Sequence, residues 1–130
     1  MRRQALILST LIAAAMSDSA FAADSSLQQS LKRLDASTRM IQVCDLAVME
    51  KTSSPKQGVT DRAFIDMLSR PKIHGDVVVG HGGAFRREGE WYEFSFRCAV
   101  TPDHMRVTKL SVSRIRHVPH SEWAAKNFYP

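Results

Sequence analysis

The chain has 130 residues, with 18 lysines and arginines against 13 aspartates and glutamates and a formal net charge of +5. For that length one small domain is expected. The charge is moderate, so it serves solubility as readily as an anionic partner, and beyond the N-terminus no apolar run approaches the roughly 20 residues that span a bilayer.

The N-terminus reads as a secretory signal peptide. Arg2 and Arg3 form a positive start, Ala5 to Met16 an apolar core, and Ala20-Phe21-Ala22 an A-x-A cleavage site. The apolar core is too short for a membrane span, and no cysteine sits at the cleavage point to carry a lipid. The expectation is removal of residues 1–22, leaving residues 23–130 as a single small domain, periplasmic or secreted.

Behind Ser25-Ser26, Leu27, Leu31 and Leu34 recur at helical spacing, and the two serines are candidate caps for a short amphipathic helix. Asp35-Ala36-Ser37 offers a second helix start. Met40, Cys44, Ala47 and Val48, with Ile41 beside them, form its apolar face, which ends at "TSSP", Thr52 to Pro55. "TDRAFIDMLS", from Thr60, reads as a third short helix that Pro71 stops, with a strand as the alternative.

After Pro71 the period changes from helical to alternating. "WYEFSFRCAV" places Tyr92, Phe94, Phe96, Cys98 and Val100 on one face and Trp91, Glu93, Ser95, Arg97 and Ala99 on the other. "DVVVGHGGAFRR" before it and "MRVTKLSVSRI" after it read as its neighbours, joined by the turns "REGE" and "TPDH". Connections so short require antiparallel pairing, hence a meander of three strands or slightly more. The N-terminal helices are its available cover, so the fold class is α+β. In the closing "HVPHSEWAAKNFY", Ser121 is a candidate cap, and Trp123, Phe128 and Tyr129 are expected to dock onto the sheet.

The mature chain contains two cysteines, Cys44 and Cys98. Export carries them to a compartment where thiols pair, so a Cys44–Cys98 disulfide is expected between the second helix and the central strand. Closing a loop of about 55 residues contributes on the order of 4 kcal/mol in the chain-entropy model.

Each apparent site has a plainer reading. "GHGG", Gly80 to Gly83, lacks the Lys-Ser/Thr of a phosphate loop and reads as a bulge or a close approach, making room for an aromatic such as Phe94 or Trp91. Among His74, His81, His104, His117 and His120, only the pair in "HVPH" has close spacing, and it lacks an acidic ligand, so no metal is expected. Asp103-His104 resembles a catalytic pair, but "TPDH" is ordinary turn chemistry, and no nucleophile motif accompanies it. Glu88, Glu90 and Glu93 read as a solvated hairpin tip rather than paired glycosidase carboxylates.

Taken together, "LDASTRMIQVCD", "GGAFRREGEWY", Cys98, "TPDHMRV" and "P..EW" resemble an alphaproteobacterial family catalogued as a domain of unknown function, number nine hundred and thirty. The resemblance implies a small exported protein or the C-terminal domain of a longer envelope protein, some members carrying a proline-rich, energy-transducer-like N-terminal region. It supplies no catalytic residues.

Residues 23–69 carry six charges of each sign, whereas 70–116 carry nine basic residues against five acidic ones. The leading expectation is therefore a non-enzymatic envelope module that binds an anionic envelope component or an acidic envelope protein. Its contact surface is the sheet's outer face with Arg86, Arg97, Arg106 and Arg114. No catalytic residue, cofactor, metal or nucleic-acid partner is expected. The alternatives are a small cell-envelope hydrolase using His104 as base, and an exported factor acting outside the cell.

Overall fold

The computed structural model describes residues 18–130, with side chains from Ser25 onward. The expected signal peptide, residues 1–22, lies outside the described residues except for Asp18–Ala22, which form the start of the first helix.

Helix α1 (Asp18–Lys32) is followed by α2 (Ala36–Thr52), then β1 (Thr60–Phe64), β2 (Lys72–His74), β3 (Val77–Arg87), β4 (Glu90–Val100) and β5 (Val107–His117). A single 3-10 turn (His120–Glu122) leads into α3 (Trp123–Lys126). Ser25 and Ser26 lie inside α1, so they do not cap it as expected. Nor does Ser121 cap α3, which begins behind Glu122 without a side-chain cap. Asp35 does cap α2: its carboxylate accepts from Thr38 N at 3.0 Å and from the Thr38 and Ser37 hydroxyls. Those hydrogen bonds, led by that of the Thr38 side chain, hold the Asp35 carboxyl well below the usual range.

The sheet is antiparallel with strand order β1-β3-β4-β5, and β2 pairs with β3 as well. The β3-β4-β5 meander is the one legible in the sequence, and its first hairpin turns at Glu88-Gly89, both with positive φ as a two-residue loop of this hand requires. Two further strands share the far edge of β3. β1 pairs along Ala84–Arg87 and β2 along Val77–Val79.

The expected third helix over residues 60–68 is instead β1 and an irregular loop, so the strand alternative holds for Thr60–Phe64. A helix of nine residues is marginal alone, whereas the edge of β3 presents main-chain donors and acceptors that need partners. The loop crosses β3 at the glycines. Leu68 N donates to Gly82 O at 2.8 Å, and a Cβ on Gly82 would lie 2.5 Å from Ser69 N. A Cβ on Gly83 would lie 2.5 Å from the Phe94 ring. A Cβ on Gly80 would lie 2.9 Å from the Phe96 ring, so "GHGG" is a bulge with three close approaches, one of them to Phe94 as expected.

On the inner face, α1 and α2 cover Val78, Phe85, Phe94, Phe96, Cys98 and Val100 with Leu31, Met40, Val43 and Val48. Cys44 on α2 is bonded to Cys98 on β4 across 54 residues of chain, as expected. Arg39 ties the helices together: its guanidinium donates to the carbonyls of Leu31, Lys32 and Leu34 at the end of α1 and to Asp103 O in the β4–β5 turn. It thereby satisfies carbonyls that a helix end leaves without partners. Among the described residues, no helix is long and apolar enough to cross a membrane.

Candidate functional site: an open basic sheet face

Every second side chain of β4 points to the outer face, and the surroundings change along it. Trp91 is buried at one end, stacked on Phe128 at 4.6 Å between ring centres, with its Nε1 donating to Tyr129 O. Ala84, Val118 and Trp123 complete this second, smaller core under the C-terminal segment. The expected docking of Trp123 and Phe128 onto the sheet is what makes it.

Glu93 comes next and forms the rim. It pairs with Arg116 at 2.9 Å and with Lys126, both of which also pair with Glu122. Partial burial pushes the Glu93 carboxyl up, but the hydrogen bonds from Lys126 and Arg116 outweigh it and leave the group below the usual range.

Beyond that rim the cover stops. Ser95 is half-buried, Arg97 is exposed, and both are flanked by open surface. Arg70, Lys72, Val79, His81, Ser95, Ser113 and Arg114 line a groove of about 480 Å³ here. Three of these are cations and none is a carboxylate. Among the described residues every ion pair uses other basic groups, namely Arg86, Arg116, Lys126, His104, His117 and His120. Cations without a carboxylate partner keep their field for a ligand.

Two irregularities of the sheet converge on Ser95. The β3–β4 register shifts between Gly80 and Gly83, and the β4–β5 register shifts opposite Glu93–Ser95. His81 sits in the first bulge and Arg114 in the second, where it holds φ 51. A left-handed conformation in an arginine is uncommon, and bulges re-aim the side chains they carry.

The four arginines singled out from the sequence do not share one surface. Arg97 and Arg114 lie on the open outer face. Arg86 faces the covered end: it binds Asp61 through Nε and Nη2, and its guanidinium lies over the Tyr129 ring. Arg106 is on the far side, beside Gln28, Lys32 and Asp103. Arg70 joins the face from the β1–β2 connection and Lys72 from the start of β2, and Lys109, opposite Ala99, extends it. The sequence signal for these three was the excess of cations after residue 69, which named a half of the chain without naming a face.

His104 has scaffold partners on both ring nitrogens. Nδ1 lies 2.7 Å from Ala36 O and Nε2 lies 3.1 Å from the Asp76 carboxylate. Asp103 accepts from Thr101 Oγ1 and Met105 N, as the turn chemistry of "TPDH" requires. Their side chains therefore hold the turn rather than face each other.

His117 and His120 converge on Glu90, with each Nε2 at 3.0 Å from a carboxylate oxygen. Hydrogen bonds from His117 first and then His120 hold the Glu90 carboxyl below its usual range. Among the described residues no group of three histidines, cysteines or carboxylates has the arrangement to hold a metal ion.

Two features went unnoticed in the sequence. Asp45, next to the disulfide, is buried and accepts from Ile65 N at 2.8 Å where β1 ends. Burial raises its pKa to about 7 against the opposing hydrogen bond, with Asp66 adding to the rise. On the helical side, an apolar groove of about 360 Å³ runs between α1, α2 and β5, lined by Leu27, Leu46 and Met105 among others.

The family model described as Domain of Unknown Function (DUF930) matches residues 31–128, and the chain belongs to that family. Neither the curated proteins nor the solved structures gave a match.

Proposed function

We propose that this member of the family is a non-enzymatic binding module of the cell envelope, periplasmic or secreted, whose open outer sheet face holds an anionic lipid surface. The observation that carries the reading is the groove between Arg70, Lys72 and Arg114, continued by Arg97 and Lys109, in which cations gather without carboxylate partners among the described residues. The Cys44–Cys98 bond supports an oxidising compartment. The scaffold duties of His104 favour binding over hydrolysis.

The test is co-sedimentation with phosphatidylglycerol vesicles across a range of salt. Replacing Arg70, Arg97 and Arg114 together by serine should abolish retention, while replacing Lys51 in the last turn of α2 and Lys56 in the turn after it should not. The affinity of the unaltered chain should fall steeply with salt, because exposed charges are screened within about 10 Å at 0.1 M. Salt-independent retention, or a triple variant that binds as before, would contradict the proposal. Retention on whole envelopes that protease treatment removes, without binding to vesicles, would point instead to an acidic envelope protein.

A further inference from the structure

Resting on that reading of the basic face, we propose that the groove around Ser95 seats the phosphomonoester headgroup of a membrane lipid, with Arg114 as the residue that selects it. Basic character alone would draw any anion to this face. The twin bulges make a more particular site: they flank one hydroxyl, Ser95, and bring a cationic or protonatable side chain to it from each neighbouring strand. Arg114 holds φ 51 there, a backbone strain that a merely solvated arginine has no reason to carry.

The lining matches the chemistry of a monoester. Such a phosphate carries between one and two negative charges near neutral pH and three terminal oxygens, whereas a diester carries one charge and two free oxygens. Three cations and the hydroxyls of Ser95 and Ser113 supply more than enough donors for three oxygens, and an arginine fork pairs with two phosphate oxygens at once. The nearest acidic neighbour along β4, Glu93, is already neutralised by Arg116 and Lys126. A membrane source fits the surroundings better than a free phosphate. The cations continue past the groove to Arg97 and Lys109, where a charged plane would meet them and a small soluble ligand would not.

The experiment compares phosphatidylcholine vesicles doped with phosphatidate, a monoester, or with phosphatidylglycerol, a diester, at matched surface charge. The unaltered protein should bind phosphatidate about tenfold more tightly, the worth of one added charge-assisted hydrogen bond. In Arg114→Gly that preference should vanish, with a smaller loss on phosphatidylglycerol. Glycine accepts positive φ, so the variant keeps the bulge, and its thermal midpoint should not fall. Ser95→Ala should also weaken the preference.

Equal binding to both vesicles, with the salt dependence intact, would overturn the seat and leave the basic-face reading standing. Binding to neither would overturn both. Glycerol phosphate alone binding as tightly as phosphatidate vesicles would overturn the membrane source. A preference that survives Arg114→Gly would overturn the role given to that residue.

Discussion

Asp45→Asn should make the protein more stable at pH 8 and leave it nearly unchanged at pH 3. Burial on α2 raises the Asp45 carboxyl from the usual 3.8 to about 7. A folded-state pKa above the unfolded one means that the folded chain prefers the proton. The contribution to stability is therefore greatest below about pH 4, declines as pH rises towards 7, and stays lost above it. Three pKa steps at about 1.4 kcal/mol each set an upper bound of roughly 4 kcal/mol on that loss. Asparagine retains an oxygen for Ile65 N, which Asp45 serves at 2.8 Å, and cannot ionise. Urea unfolding with the disulfide intact is the assay, and a slope of 1–2 kcal/mol per molar turns even half of that bound into a midpoint shift of about 1–2 M at pH 8. Asp45→Ala provides the contrast, since it leaves a buried N–H unpaired and should cost about 1–3 kcal/mol at pH 3. Parallel pH profiles for the unaltered chain and Asp45→Asn would refute the reasoning.

Other positions are as open to test. Thiol labelling of the non-reduced protein should find no free cysteine, and reducing the Cys44–Cys98 bond should lower stability by about 4 kcal/mol in urea; two labelled thiols would contradict it. Arg39→Ala should cost about 1–3 kcal/mol by releasing the carbonyls of Leu31, Lys32 and Leu34, with Arg39→Lys recovering little because an ammonium lacks the planar fork. Phe128→Ala should cost about 3 kcal/mol and shift the emission of Trp91, on which it stacks; a loss within about 0.5 kcal/mol would show that the outer core is dispensable.

Long, regular signals were the ones legible in the sequence. The ten-residue alternation of "WYEFSFRCAV" identified β4 and the face bearing Cys98, and two cysteines behind an N-terminus that reads as a signal peptide identified the disulfide partners. β1 was ambiguous because five residues hold little periodicity, and its strand state depends on the open edge of β3, which no local window contains.

The same non-local dependence governs the face. Arg86 and Arg97 look alike in sequence, yet Asp61, 25 residues away, occupies Arg86, while among the described residues no carboxylate pairs with Arg97. The bulge at Arg114 was hidden because no glycine marks it. Asp45 left one trace, a carboxylate beside Cys44 on an apolar helix face.

The most direct measurement of the central claim is amide line broadening on titration with phosphatidylglycerol nanodiscs carrying spin-labelled lipid. Broadening should centre on Val79–His81, Ser95–Ala99 and Lys109–Arg114, sparing α1 and α2. Broadening centred on Leu27, Leu46 and Met105, the lining of the apolar groove on the helical side, would contradict it.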